Sequence, residues 1–272
     1  MIGQTVVRGT VAAALLAASL SAVSAQERVI GRSVEDRPIT VEVIGNGPVD
    51  VIIVGGIHGG YEANSIALAR RFAQYYRDSP ARLPERFTLH VIDNMNPDGL
   101  DLITEGTPLE DFDFRAVDAR PGRFNANGVD LNRNWDGDWQ PQSTWRNTIV
   151  DAGSAPFSEP ETRAVRDYFR DVDPAASVFY QSAGAFLWYT GAEDGWEPAL
   201  ELAQAYGTAS GYRVVRPTPR AAEDEEDDDI TGSADDYFYE IGHRNVTVEL
   251  TTHYVIEWER NLAGFQALLN EL

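Results

Sequence analysis

The chain has 272 residues and a formal charge of −21, with 43 acidic side chains against 22 lysines and arginines. An acidic surface of that size repels nucleic-acid backbones and anionic membranes, so neither is expected as a partner. It contains no cysteine, which excludes disulfides and lipidation at a thiol, and the length suits one α/β domain with a large core.

Taken in chain order, residues 1–25 carry one basic residue, Arg8, then the apolar run Val11–Leu20, then Val23-Ser24-Ala25. That stretch is too short to span a bilayer and ends in a small-residue cleavage pattern, so it reads as a signal peptide for export to the periplasm or medium. Residues 26–272 then form a single domain. Strands are predicted at Arg28–Ser33 and Ile39–Ile44, a hairpin-like pair, and at Val51–Val54, which ends in Gly55-Gly56. A helix follows over Ala63–Arg77, then a strand over Phe87–Ile92. The segment Asn94–Ala155 lacks periodicity and is rich in Gly, Asn, Asp and Trp, the composition of a long irregular region that builds a site. Its tryptophans Trp135, Trp139 and Trp145 either floor a cleft or join the core.

Beyond it, a helix is predicted over Glu159–Phe169, with Ser158 and Glu161 spaced as a capping box. Strands at Ser177–Tyr180, Tyr212–Val215 and Val246–Leu250 alternate with helices at Pro198–Ser210 and Trp258–Leu272. The alternation specifies an α/β fold: a three-layer sandwich with a mixed, twisted central sheet and helices on both faces. Between these elements the run Glu223–Asp229, EDEEDDD, reads as a solvated, self-repelling loop.

Two segments carry chemistry. GVDLNRNW at 128–135 sets Asn132 beside Arg133, with Arg123 nine residues upstream of Asn132. A guanidinium offers two parallel N–H donors that match a carboxylate, and an asparagine amide can add a neutral donor to the same anion. DVIIVGGIHGGYEAN at 50–64 is a buried strand that stops at a turn, followed by His58 and Glu62. In open α/β sheets ligands bind just past the carboxyl ends of strands, and His and Glu are ligand types of catalytic zinc.

Together GGIHGGYEAN at 55–64, NPDG at 96–99, RFNANGVDLNRNW at 123–135, PFSEPET at 156–162 and TVEL at 247–250 resemble the zinc metallocarboxypeptidase family, including its secreted bacterial members that trim cell-wall peptides. The resemblance runs in the family's order over roughly residues 50–260. It implies one zinc ion with His58 and Glu62 as ligands, and a clamp of Asn132 and Arg133 on the free C-terminal carboxylate. It also implies that Arg123 polarises the scissile carbonyl, and that Glu249 is the general base acting on metal-activated water. The implied partner is a peptide or cell-wall peptide with a free C-terminus, cleaved by a monomeric enzyme.

Two departures stand against that pattern. His58 and Glu62 are four residues apart where the family has three, a difference one extra loop residue absorbs. The strand Ser177–Tyr180 runs into Gln181-Ser182, so Gln181 occupies the place of the family's third ligand, a histidine. An amide oxygen is a feeble zinc ligand beside imidazole. His253, four residues after Glu249, is the histidine positioned to approach the cleft instead, whereas His90 reads as structural and His243 sits in a turn. A metal-poor, catalytically impaired peptide-binding protein of the same fold is the rival reading, and an amidohydrolase of N-acyl amino acids is a third. Near the end, Asp235 and Asp236 follow the acidic run. They either place a carboxylate in the pocket for the terminal side chain, favouring Lys, Arg or diaminopimelate, or cap a helix around Tyr237.

Overall fold

The computed structural model describes residues 25–190, 197–215 and 230–272. Residues 1–24 of the expected signal peptide and the acidic run 223–229 lie outside them. In chain order the elements are β1 (Gln26–Arg32), β2 (Pro38–Gly45), β3 (Val49–Val54), α1 (Ala63–Asp78), β4 (Phe87–Ile92), α2 (Pro97–Thr104), β5 (Gln142–Trp145) and β6 (Thr148–Asp151). They continue with α3 (Pro160–Val172), β7 (Ala176–Ser182), β8 (Phe186–Tyr189), α4 (Leu200–Ser210), β9 (Arg213–Val214), α5 (Ala234–Glu240), β10 (Asn245–Leu250) and α6 (Trp258–Glu271).

Eight strands form one mixed sheet in the order β1-β2-β4-β3-β7-β10-β8-β9, while β5 and β6 pair only with each other. The centre, β4-β3-β7-β10, is parallel; β2 and β8 run antiparallel to β4 and β10 at its two ends, and β1 runs antiparallel to β2. Central parallel strands are covered on both faces, and their residues sort accordingly. In β3, Val51 and Ile53 enter one core with α1, α4 and α6, whereas Ile52 and Val54 enter a second core with α3 and α5. In β7, Val178 and Tyr180 face the first core and Phe179 the second. This is the expected α/β sandwich, with helices on both faces.

The helices form because their apolar positions recur at helical spacing. In α1, Ile66, Ala69, Phe72, Ala73 and Tyr76 are buried on one stripe, and Phe72 stacks on Tyr180 with ring centroids 5.6 Å apart. Among the described residues no helix is long and apolar enough to cross a membrane.

Several local expectations are corrected. The capping box assigned to Ser158 and Glu161 does not form, because α3 begins at Pro160 with Glu159 as its N-cap and no side-chain cap. Glu161 instead accepts the Val34 amide at 3.0 Å, and Ser158 Oγ donates to Glu159. A capping box does close at α5, between Ser233 and Asp236. The segment Asn94–Ala155 is not wholly irregular, since it holds α2 and the β5–β6 hairpin. Trp135 is core, enclosed by Phe157, Phe179, Tyr237 and Phe238.

Candidate active site

The carboxyl ends of β3, β7 and β10 lie side by side, and the chemistry-bearing residues collect there. After Val54 the chain turns through Gly55-Gly56 into a short 3-10 turn, Gly59–Glu62, that leads into α1. Gly59 has φ +45, and a Cβ there would meet the carbonyls of Gly122 and Asn96 at 2.7 and 2.9 Å, so only glycine fits. That turn takes up the three residues between His58 and Glu62. It brings His58 Nδ1 to 2.8 Å from Glu62 Oε1, both residues being buried.

The loop that carries Arg123 is held by α2. Asn96 caps that helix by accepting the Gly99 amide at 2.9 Å, and its Nδ2 donates to the Arg123 carbonyl. Arg123 Nε then donates to Asp130 Oδ2 at 2.8 Å, and Asp130 Oδ1 lies 3.3 Å from His58 Nε2, close enough to attract but not aligned as a hydrogen bond. Arg123 also lies 3.7 Å from Glu62 Oε1. Burial pushes the Asp130 carboxyl up, but Arg123, His58 and Arg133 overcome it and hold the group well below the usual carboxylate range. Two acids and two bases therefore close a buried charge network, Glu62–His58–Asp130–Arg123. Asp130 was not singled out from the sequence, although an acid two residues before Asn132 was the available signal.

Asn132 is fixed at both ends. Its Oδ1 accepts the Ala234 amide at the start of α5, and its Nδ2 donates to Gln181 Oε1 at 3.4 Å. The Arg133 guanidinium is buried, with Nε and Nη2 on the Thr144 carbonyl at 3.2 and 2.9 Å and Nη1 on its neighbour's carbonyl at 2.8 Å. Gln181 is paired in register with Glu249 on adjacent parallel strands, so both side chains stand on the same sheet face at its carboxyl edge. Burial and the nearby Glu62 push the Glu249 carboxyl up to about 8, against the pull of Arg123. Asp235 approaches from α5 and accepts from Asn245 and Thr247; burial raises its carboxyl to about 6 despite those two donors. Asp236 serves the capping box.

A lip of rings borders this cluster. Trp145 lies under the Arg123 guanidinium at 4.5 Å and against the edge of Tyr61 at 5.3 Å. Tyr61 in turn contacts His253 at 4.5 Å. His253 does reach the cleft from its loop, but its Nδ1 is engaged by Ser182 Oγ at 3.0 Å. His90 is buried between Asp50 and Tyr168, and His243 bonds Ser177 at the other end of β7.

The donor set can be weighed against a catalytic zinc, which takes three strong protein ligands and keeps one position open. His58, with Nε2 3.3 Å from Asp130, would present Nδ1 beside the Glu62 carboxylate. Gln181, expected at the third place, has an amide oxygen that already accepts from Asn132. Among the described residues no group of three His, Cys, Asp or Glu side chains is gathered as a metal site requires. The set falls one strong ligand short, and a three-ligand catalytic zinc does not fit it.

Comparison with known proteins places the chain in context. The family model described as zinc carboxypeptidase matches residues 16–265. Gamma-D-glutamyl-L-diamino acid endopeptidase 1 of Lysinibacillus sphaericus is 25% identical over 211 residues, 69% of this chain and 53% of that protein. The chain spans between 24% and 64% of the length of the curated relatives it matches. Among solved structures, murein-tripeptide amidase MpaA from Escherichia coli O157 superposes with a TM-score of 0.61 at 21% identity, over 92% of this chain and 93% of that one. Bovine thrombin-activatable fibrinolysis inhibitor, solved with tick carboxypeptidase inhibitor, gives a TM-score of 0.68 at 20% identity, over 90% and 87%. At these identities the solved structures show the fold.

Proposed function

The chain belongs to the zinc carboxypeptidase family, and from that premise we propose that it binds the C-terminal residue of a peptide in this cleft and hydrolyses the terminal peptide bond. The observation that carries the reading is the gathering of Arg123, Asn132 and Glu249 at one edge of the sheet, beside His58 and Glu62. Arg133 and Asn132 grip the terminal carboxylate, and Arg123 donates to the carbonyl oxygen as negative charge develops on it. Glu249 takes a proton from the attacking water once its carboxyl, raised to about 8, has ionised.

Zinc is the ion the family's description names, and His58 and Glu62 are the residues that would meet it. A second reading, a carboxylate-binding protein with impaired turnover, is favoured by one observation: Gln181 is spent on Asn132 where a third ligand would be needed.

For substrate, we propose a terminal residue with a basic side chain. The inward-turned carboxyl of Asp235 has neutral donors and no ion pair among the described residues, so a cationic side chain would relieve its burial. The names of two relatives, which specify a diamino acid and a murein tripeptide, agree with a cell-wall peptide ending in such a residue.

The test is release of the last amino acid from peptides that differ in that residue, with free or amidated termini, with added zinc or a chelator. Release from the free-acid lysine peptide, suppressed by Glu249→Gln and by amidation, is the expected result. Tight binding of the free acid without release under any metal condition would select the second reading. Indifference to amidation in both binding and release would end both.

A further inference from the structure

His253 is not used by the chemistry above, yet its proton can be placed. Asn64 Nδ2 donates to the carbonyls of Thr252 at 2.6 Å and Val255 at 3.3 Å, which fixes the orientation of that amide and leaves Oδ1 as an acceptor only. Ser182 Oγ donates its one hydrogen to Asn64 Oδ1 at 3.0 Å. The contact between Ser182 Oγ and His253 Nδ1, also 3.0 Å, must then use the imidazole's hydrogen. Nδ1 carries the proton, and in the neutral ring Nε2 is left with a bare lone pair. Burial lowers the His253 pKa from its ordinary value, which keeps the ring neutral.

That Nε2 has no hydrogen-bond partner among the described residues and is not sealed from solvent. The ring lies against Tyr61, the residue before Glu62 in the turn, and the charges of Glu62, His58, Arg123 and Arg146 all act on it. Ser182, its anchor, gives its own amide to Glu62 Oε2 at 3.1 Å. The loop itself does not need the imidazole as a tether, because Asn64 already holds it at two carbonyls. A rigidly held acceptor therefore stands on the row of rings, Trp145, Tyr61 and His253, that borders the cluster.

We propose that His253 is a substrate-binding residue whose Nε2 accepts a hydrogen bond from a backbone N–H of the peptide, one or two residues to the amino-terminal side of the scissile bond. The inference rests on the reading of this cleft as a peptide site. A lone-pair acceptor repels the terminal carboxylate and the carbonyl oxygens, so among peptide backbone groups only an N–H satisfies it.

The test pairs protein variants with esters. Affinities of a peptide and of two depsipeptides, each replacing one upstream amide N–H with an ester oxygen, are measured by calorimetry with a chelator present to hold off turnover. His253→Phe keeps the ring packing and removes the nitrogen; His253→Gln offers an acceptor at the place of Nε2. For the wild type, one of the two esters should bind about tenfold more weakly, the size of one neutral hydrogen bond. His253→Phe should lose the same factor for the parent peptide and show no further loss with that ester, while His253→Gln recovers part of it. Thermal unfolding of each variant verifies the fold. An ester penalty that persists undiminished in His253→Phe, or no penalty from either ester, overturns the assignment. If the free acid binds better than its amide while His253→Phe is silent, the peptide cleft survives and only the role of His253 falls. If no peptide binds the wild type, both fall.

Discussion

At the scale of single residues, the proposed metal role turns on Gln181. Replacing it by histidine removes the acceptor that Asn132 now uses and, on the proposed alignment, adds an imidazole to His58 and Glu62. Gln181→His should raise zinc affinity at least tenfold by competition with a chelating dye, since three strong ligands replace two. An unchanged affinity would mean that the side chain at 181 does not face His58 and Glu62. Asp235 supports a prediction about pH. Its carboxyl sits near 6 in the folded chain against 3.8 for the free group, so between those values the folded state holds a proton that the unfolded state has released. The sign follows: this contribution is fully present below pH 3.8 and is lost as pH rises through 6. Asp235→Asn should therefore gain stability relative to the wild type on going from pH 4 to pH 7, on the order of 2 kcal/mol once residual exposure is allowed for. Urea unfolding at the two pH values measures it, and a gap that stays constant or shrinks would show the carboxyl to be ionised throughout.

At the scale of elements, the regular pieces were legible because their cores write a period into the chain. Phe87–Ile92, FTLHVI, matches β4 residue for residue, and the α1 stripe gives that helix its span within a residue. What stayed hidden was local geometry set by distant partners. The capping box was read at Ser158 because the spacing was right, yet Glu161 is drawn away by the Val34 amide across 127 positions of sequence. Likewise α2 begins at Pro97 behind an Asn cap, a short helix whose few residues leave little periodicity to detect. Of the site, His58, Glu62, Arg123, Asn132, Gln181 and Glu249 are brought to one edge of the sheet. The acid that links two of them, Asp130, carried no signal of its own beyond its place in the segment. The cap at α2 makes a prediction. Asn96→Ala removes both the Gly99 cap and the bond to the Arg123 carbonyl, so it should cost about 1–2 kcal/mol of stability. Because the same side chain steadies the arginine loop, affinity for free-acid peptides should fall as well. A stability loss with unchanged affinity would uncouple the cap from the cleft.

At the scale of the whole molecule, the family and the fold agree with the expected α/β sandwich. The place of the site within that sheet has a further consequence. Gln181 and Glu249 stand on β7 and β10, each with a bonded strand on both sides, whereas β1 and β9 form the margins. Sheets open from their margins, and backbone amides at an edge are the first to lose protection. Amide hydrogen exchange should therefore run inward in time: β9, with two residues, and β1 exchange early, while Val178–Tyr180 and Val246–Val248 exchange only with global unfolding. Fluctuations that fray the rim would then leave the candidate site assembled, and exchange in β7 and β10 as fast as in β1 would show that it is not.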